Sequence, residues 1–404
     1  MSHDRQLGPQ ALARAALTYL AEPADPALGA LLEICEPADV VAAIKANMLP
    51  GIGPGCGDRP ASRRALELAL GRWRSRLPRL PDDAGLEAAC RDGTRLVCPA
   101  DPEWPGGLDE LGPARPYALW LRGHADLGLA CLRSVSMVGA RAATGYGAHV
   151  AGEIAADLGE RGWVIVSGGA YGIDAAAHRG ALATGAATIA VLACGVDYAY
   201  PAGHAGLFAD ITGQGLVISE WPPGRHPARL RFLTRNRTIA ALTCGTVIVE
   251  AGERSGALNT ARHAAQLGKP LMAVPGPVTS AQSAGCHRII REWGATCVTR
   301  ADDIIEMLSP LGTTPGPATT ASLATTAGTP PSPHRGAAPS RDELDADSAR
   351  VLDALPARGG AGTSTIAAEA GVDLDTVLRC LGLLAGSGFI ERCDRGWRLR
   401  KPPP

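Results

Sequence analysis

The sequence predicts an α/β chain built on a doubly wound parallel sheet, with a helical region before it and a small helix-plus-hairpin domain after it. Three observations carry this. Short apolar runs without alternation recur from residue 134 to 299, as expected of strands covered by helices on both faces. Helical stretches separate them, which is the alternation of a parallel α/β sheet. A proline-rich segment with a single charge then sets off the C-terminal region.

Residues 1–80 read as helices. ALARAALTYLA, PALGALLEIC and PADVVAAIKAN are rich in Ala and Leu and start at turn residues, and SRRALELALGRWRSRL continues the series. Between them lies MLPGIGPGCG (48–57). It reads either as a helix-hairpin-helix turn, whose glycines let backbone N–H groups approach a phosphate, or as a plain interhelical turn.

The sheet region is expected over 90–308. TRLVCP (94–99) and YALWLRG (117–123) read as strands. SVSMVG (134–139), WVIVSGG (163–169), TIAVLACG (188–195), LVISE (216–220), TVIVEAG (246–252), PLMAVPG (270–276) and ATCVT (295–299) follow. Helices are expected from about Tyr146, Ile173 and Ser255. Residues 309–341 hold seven prolines, no aromatic residue and one charge before Arg341, that of Arg335. Such a composition cannot bury enough apolar surface to offset chain entropy, so a flexible linker is expected. In 342–404, DELDADSARVLDAL, TSTIAAEAG and DLDTVLRCLGLLAGSG read as three helices. FIERCDRGWRLR reads as a hairpin turning at Asp394, Arg395 and Gly396, which makes a winged-helix layout.

Composition narrows the class. In 404 residues, 46% hydrophobic and 20% charged side chains exclude a wholly disordered chain and a coiled coil. The net charge of −1 means that any polyanion site must be local. None of the eleven cysteines has C-x-x-C spacing, so neither a zinc ribbon nor a redox pair is expected, and no metal site. They read as reduced, mostly buried thiols of a cytoplasmic protein. MSHDRQLGPQ lacks an apolar signal core and the apolar runs are too short to span a bilayer, so no membrane partner is expected.

Ligands of open parallel sheets bind at the carboxyl ends of the strands, and four segments there are unusual. VGARAATGYG (138–147) follows a strand, and its glycines permit close backbone approach. Arg141 places a bidentate phosphate donor within it. It is neither G-x-G-x-x-G nor a Walker loop, which argues against ordinary dinucleotide or ATP use and against a bound cofactor. VSGGAYGIDAAAH (166–178) offers Gly168 and Gly169 in a second anion-friendly loop. Asp174 and His178, four apart, share a helix face. They are open to two readings, a metal or acid–base pair, or a helix cap with a histidine holding a neighbouring loop.

GRHPARLRFLTRNR (224–237) carries arginines 225, 229, 231, 235 and 237 and no acid, so the rest of the chain carries −6. Phe232, one of three phenylalanines, interrupts them. Read as a basic loop, this is the composition that neutralises phosphates and stacks a base; the other reading is a solvated loop, or arginines paired with Glu220, Glu250 or Glu253. EAGERSGALNTA (250–261) places Ser255 and Gly256 at a helix N-terminus. Glu250 and Glu253 beside them could serve as catalytic carboxylates, and are expected rather to orient Arg235 and Arg237.

Taken in order, VGARAATGYG, VSGGAYGIDAAAH, AVLACGVDYAYP, ISEWPPG, RFLTRNRTIAAL, VIVEAGERSGALNTA and AVPGPV resemble the DprA/Smf family of DNA-processing proteins over residues 90–308. DPEWPGGL upstream fits as well. The resemblance implies an extended Rossmann-like fold that binds single-stranded DNA, forms a homodimer and loads RecA recombinase onto the strand. It also implies a role in natural transformation, where such proteins protect incoming DNA, and no catalytic reaction or cofactor. Its DNA contacts fall here on Arg141, Arg229, Arg231, Phe232, Arg235, Asn236 and Arg237. One departure stands out: where some relatives carry a lysine in the second glycine loop, this chain has Tyr171.

Two other classes compete. Nucleotide hydrolases of the lysine-decarboxylase-like (LOG) group share such a sheet, but their P-G-G-x-G-T-x-x-E signature is replaced here by EAGERSGALNT. A transcription regulator would read DNA through DLDTVLRCLGLLAG, whose Asp373 and Asp375 oppose a phosphate backbone and leave only Arg379 to favour it.

Overall fold

The computed structural model describes residues 7–48, 60–309, 346–355, 360–386, 389–393 and 396–399. Nearly all of the segment 48–57, the linker and the turn residues Asp394 and Arg395 lie outside these. The described residues cluster into two compact units, one within Met1–Ala318 and one within Thr319–Pro404.

The first unit opens with helices α1 (Pro9–Leu20), α2 (Pro26–Leu32), α3 (Pro37–Ala46), α4 (Pro60–Arg74) and α5 (Asp83–Ala88). Proline, whose fixed φ suits a first helical turn, starts α1, α2 and α3. Asp25 caps α2 by accepting from Ala27 N at 3.0 Å. Next come β1 (Thr94–Val97), β2 (Leu119–Arg122), α6 (Leu127–Leu132), β3 (Ser134–Val138), α7 (Gly145–Glu160) and β4 (Val164–Ser167). The series continues with α8 (Ile173–Ala183), β5 (Thr188–Leu192), α9 (Ala205–Gln214), β6 (Leu216–Ser219) and α10 (Arg229–Leu242). It ends with β7 (Thr246–Ile248), α11 (Ala257–Gln266), β8 (Leu271–Ala273), α12 (Ala284–Trp293), β9 (Thr296–Cys297) and α13 (Ala301–Leu308).

The nine strands form one sheet in the order β1-β2-β6-β5-β4-β3-β7-β8-β9. From β6 to β9 every neighbour is parallel, as the unalternated apolar runs require. Strands β1 and β2 add an antiparallel margin. The chain winds from β3 out to β6, returns through α10, and winds the other way from β7. The switch point therefore lies between β3 and β7, and their carboxyl ends bound a crevice.

Both faces of the sheet are covered. Along β5, Ile189 and Val191 enter the layer of α10 and α11, while Ala190 and Leu192 enter the opposite layer. That second layer takes α9 and the N-terminal helices, with α7, α8 and α13 beside them. The helical region expected over 1–80 thus does not stand apart from the sheet. Leu17, Leu20, Leu28 and Trp73 share a core with Trp120 of β2 and Val217 of β6. Trp120 also donates to Thr18 Oγ1 at 3.2 Å.

The second unit holds α14 (Ala346–Asp353), α15 (Thr363–Ala370), α16 (Leu374–Gly386) and an antiparallel pair, β10 (Ile390–Cys393) and β11 (Gly396–Leu399). These are the three helices and two strands expected of that region. Val351, Ile366, Val377, Leu381 and Ile390 make its core. Burial pushes the thiols of Cys98, Cys131, Cys194 and Cys286 up to about 12, as expected of inert core cysteines. Among the described residues no helix is long and apolar enough to cross a membrane.

One buried base ties the helical layer to the sheet. Thr188 Oγ1 of β5 donates to Ile165 O at 2.7 Å, so its lone pair accepts from His178 Nδ1 of α8 at 2.8 Å. That bond places a proton on Nδ1, and burial keeps the ring otherwise unprotonated by lowering its pKa from 6.5 to about 3. The unfolded chain therefore binds a proton that the folded chain refuses between about pH 6.5 and pH 3. Stability from this site is complete above that window and falls with pH by up to about 1.4 kcal/mol per unit within it. Urea unfolding between pH 7 and pH 4 should show a shallower acid limb for His178→Leu than for the parent. Parallel limbs would remove this assignment.

Candidate nucleic-acid interface

The loop after β3 forms one wall of the crevice. Thr144 caps α7 by accepting from Gly147 N at 3.1 Å. Buried Glu250, just past β7, accepts from Thr144 N at 2.9 Å and from Thr144 Oγ1 at 2.6 Å. Gly147 makes this approach possible, since a Cβ there would lie 2.2 Å from Glu250 Oε2. The tie leaves Arg141 exposed on the loop, with its guanidinium carbon 5.1 Å from the centre of the Phe232 ring.

The loop after β4 forms the floor. Gly168 and Gly169 are buried, and Asp174 Oδ2 accepts from Gly168 N at 3.1 Å and Ala170 N at 3.4 Å. Burial raises the Asp174 pKa, while Arg235 and these amides pull it back. A Cβ on Gly168 would lie 2.3 Å from Arg235 Nη1, so the missing side chain is the room in which the guanidinium sits.

The arginine-rich segment is a helix, α10, and not the loop expected. Its first turn is open, with Arg229 and Leu230 exposed. Phe232 is half-buried, 5.5 Å from the Tyr200 ring. The following turns enter the protein. Arg235 Nη1 donates to Val191 O. Burial lowers its pKa to about 10, so it remains a cation at neutral pH. Asn236 Nδ2 donates to Asn259 Oδ1 at 3.2 Å and to Gly256 O at 3.4 Å. Arg237 is 4% exposed and donates to Glu220 Oε2 at 2.6 Å, with Glu220 3% exposed.

Opposite stands the start of α11, where Gly256 is the N-cap and Ser255 Oγ accepts from Ala257 N at 3.3 Å. Arg141, Phe232, Arg235, Asn236, Ser255 and Gly256 converge on one cavity of about 320 Å³. It holds cations, a helix N-terminus and an aromatic face, which is the chemistry of a phosphate beside a base.

The sequence profile of the family named DNA recombination-mediator protein A matches residues 95–309. A DprA-named protein of Mycobacterium tuberculosis is 42% identical over 403 residues, covering 97% of this chain and 95% of its own length. The chain belongs to the DprA/Smf family. A DNA processing protein DprA of Streptococcus pneumoniae is 40% identical over 202 residues, covering 50% of this chain and 70% of its own. The X-ray structure of DprA from Streptococcus pneumoniae superimposes with a TM-score of 0.57 at 30% identity, covering 75% of this chain and 99% of that one.

Within this DprA/Smf chain the expected residues divide. Arg141, Phe232, Ser255 and Gly256 line the cavity, with Arg235 and Asn236 behind them. Arg229 is exposed at the start of α10. Gly168 and Gly169 act from within the core, through Arg235. Arg237 is buried away from the cavity lining, with its charge neutralised by Glu220. Arg231 is also engaged, donating to Glu22 at 2.8 and 3.1 Å across the N-terminal helices. Glu250 and Glu253 do not orient Arg235 and Arg237 as expected. Glu250 holds Thr144, and Glu220 holds Arg237. Asp174 ties down its loop, and His178 holds a strand where a loop was expected. Among the described residues no cluster of His, Cys, Asp and Glu could hold a metal.

Two tyrosines were missed. Tyr198 and Tyr200 follow β5 and are 40% and 39% exposed. Their signal was the pair two residues apart in AVLACGVDYAYP, in a chain with 4% aromatic residues. Tyr171, at the variant lysine position, is also exposed and stands edge-on to His204, with ring centres 4.5 Å apart.

The two arginine classes separate by stability. Arg237→Ala strands a buried carboxylate and should cost about 3–5 kcal/mol in chemical denaturation. Arg141→Ala, at an exposed loop, should stay within about 0.5 kcal/mol. Equal stability of the two variants would reverse this division.

Proposed function

We propose that this protein binds single-stranded DNA at the switch-point crevice, without strong sequence preference, in DNA recombination or uptake. The observation that carries the reading is Arg141 stacked over Phe232 at the mouth of the cavity, with the α11 N-terminus opposite. A phosphate is met by Arg141 and by the helix start, and a base is met by Phe232 and Tyr200. Aromatic faces accept any base, and the Asn236 amide nitrogen already donates to Gly256 and Asn259. Few groups remain to read a base edge.

The reading is one of binding rather than catalysis. Asp174, which lines the cavity, and Glu250, buried under the loop after β3, are hydrogen-bonded to Gly168, Ala170 and Thr144. A nucleotide hydrolase of the LOG type would need such a group free. Membership of the DprA/Smf family supports the finer parts of the proposal: a homodimer that loads RecA recombinase onto the strand in the cytoplasm.

Fluorescence anisotropy with oligothymidylate and with duplex, over a salt series, tests this. The single strand should bind more tightly. Arg141→Ala should weaken binding and reduce the logarithmic salt slope by about 0.7, one phosphate contact on a single strand. Equal affinity for duplex, or an unchanged slope in this variant, would count against the site. Phe232→Leu should lose about 1–3 kcal/mol of affinity with the slope unchanged, since a stacking face and no charge is removed. Unchanged affinity for Phe232→Leu would assign the ring to packing alone.

A further inference from the structure

A second cavity, of about 490 Å³, opens between the N-terminal helices and the segment leading into α10. Tyr19 and Arg79 form one wall, and Arg225, His226 and Arg231 the other. Its charges do not balance. Arg231 and Arg76 converge on Glu22, at 2.8 and 3.2 Å, and Trp221 Nε1 donates to the same carboxylate at 2.9 Å. Asp197 accepts from Gly224 N at 2.9 and 3.0 Å and keeps its negative charge, so the guanidinium groups of Arg76, Arg79, Arg225 and Arg231 stand against two carboxylates, Glu22 and Asp197. Arg225 gives one N–H to Tyr19 O at 2.6 Å and faces Arg76 and Arg231. Burial first, then Arg76, lowers its pKa. Arg79 is exposed and has no ion-pair partner among the described residues.

The two cavities are joined by aromatic rings. Tyr200 lies against Phe232 at the crevice mouth, with ring centres 5.5 Å apart. Tyr198 lies against His226 of the second cavity, with centres 5.1 Å apart. Both tyrosines stand on the loop after β5. Phe232 and Arg231 are neighbours on α10, so one helix turn borders both cavities.

We infer that this cleft is a second backbone subsite, taking phosphodiester groups of the same strand after it crosses Tyr200 and Tyr198. Four guanidinium groups against two carboxylates leave an excess of positive charge that a polyanion matches, and the ring pair supplies stacking between the two phosphate sites. The inference rests on the proposed single-strand reading and adds the strand's path. It also gives the N-terminal helices a part in binding, through Arg79.

The test uses the full chain and oligothymidylates graded from about 4 to about 16 nucleotides. Affinity of the parent should rise with length beyond the shortest oligomer. Arg79→Gln, at an exposed position without partners, should lower affinity for the longest oligomer several-fold, reduce its salt slope by about 0.7, and leave the shortest unchanged. Tyr198→Leu should lower affinity for the longest oligomer with its slope kept. Wild-type behaviour of both variants at every length, or equal losses at every length, would overturn the subsite. Arg141→Ala, run alongside, should weaken every length. If it weakens none while Arg79→Gln weakens the longest, the cleft stands and the crevice reading falls. If the parent binds no single strand, both fall.

Discussion

The structure depends on neutralising two guanidinium groups buried two residues apart on α10. Neither Arg235 nor Arg237 can remain in a low-dielectric interior unpartnered. Arg237 takes the carboxylate of Glu220 at the end of β6. Arg235 takes the Val191 carbonyl at the end of β5 and the field of Asp174 at the start of α8. The helix is thereby held to the carboxyl ends of several strands at once. Its first turn then projects Phe232 over the crevice, and Gly168 is required simply to leave space. The positive charge behind the cavity belongs to the architecture as much as to any ligand.

Much of this was legible. Runs such as SVSMVG and TIAVLACG lack alternation because both sheet faces are buried, so strand number and parallel winding follow from composition. Glycines at the ends of those runs marked the crevice. What was not legible is the nature of α10. RLRFLTRNRTIAAL has no apolar stripe, because its polar side chains point inward to partners far along the chain. Glu220, 17 residues before Arg237, stands among the acids near enough to be read as a partner, but nothing local selects it over Glu250 and Glu253, and Glu22, 209 residues before Arg231, carries no local sign of its pairing. A cluster of arginines reads the same whether it awaits phosphates or is already satisfied. Only tertiary packing separates Arg141, exposed over the Phe232 ring, from Arg237, buried on Glu220.

The same limit affected the N-terminal helices. Their Ala and Leu pattern announces helices but not the surface they cover. Packing on β2 and β6 brings Glu22 and Arg76 to α10, and makes the helices part of the wall around the arginine-rich segment. The position of Phe232 is consequently braced from two sides, by the buried Arg235 and Arg237 further along α10 and by an ion-pair cluster at its neighbour Arg231.

Glu250 has a consequence for what this sheet can accept. In doubly wound proteins that hold dinucleotides, the diphosphate rests on the helix that follows the first parallel strand, where the helix field favours an anion. Here that helix is α7, and the protein fills its own seat with the Glu250 carboxylate. A diphosphate arriving there would meet like charge, in a space that Gly147 leaves open and Glu250 already fills. The position that a diphosphate takes in such folds is thus self-plugged, and the groups left open beside it are Arg141 and the start of α11.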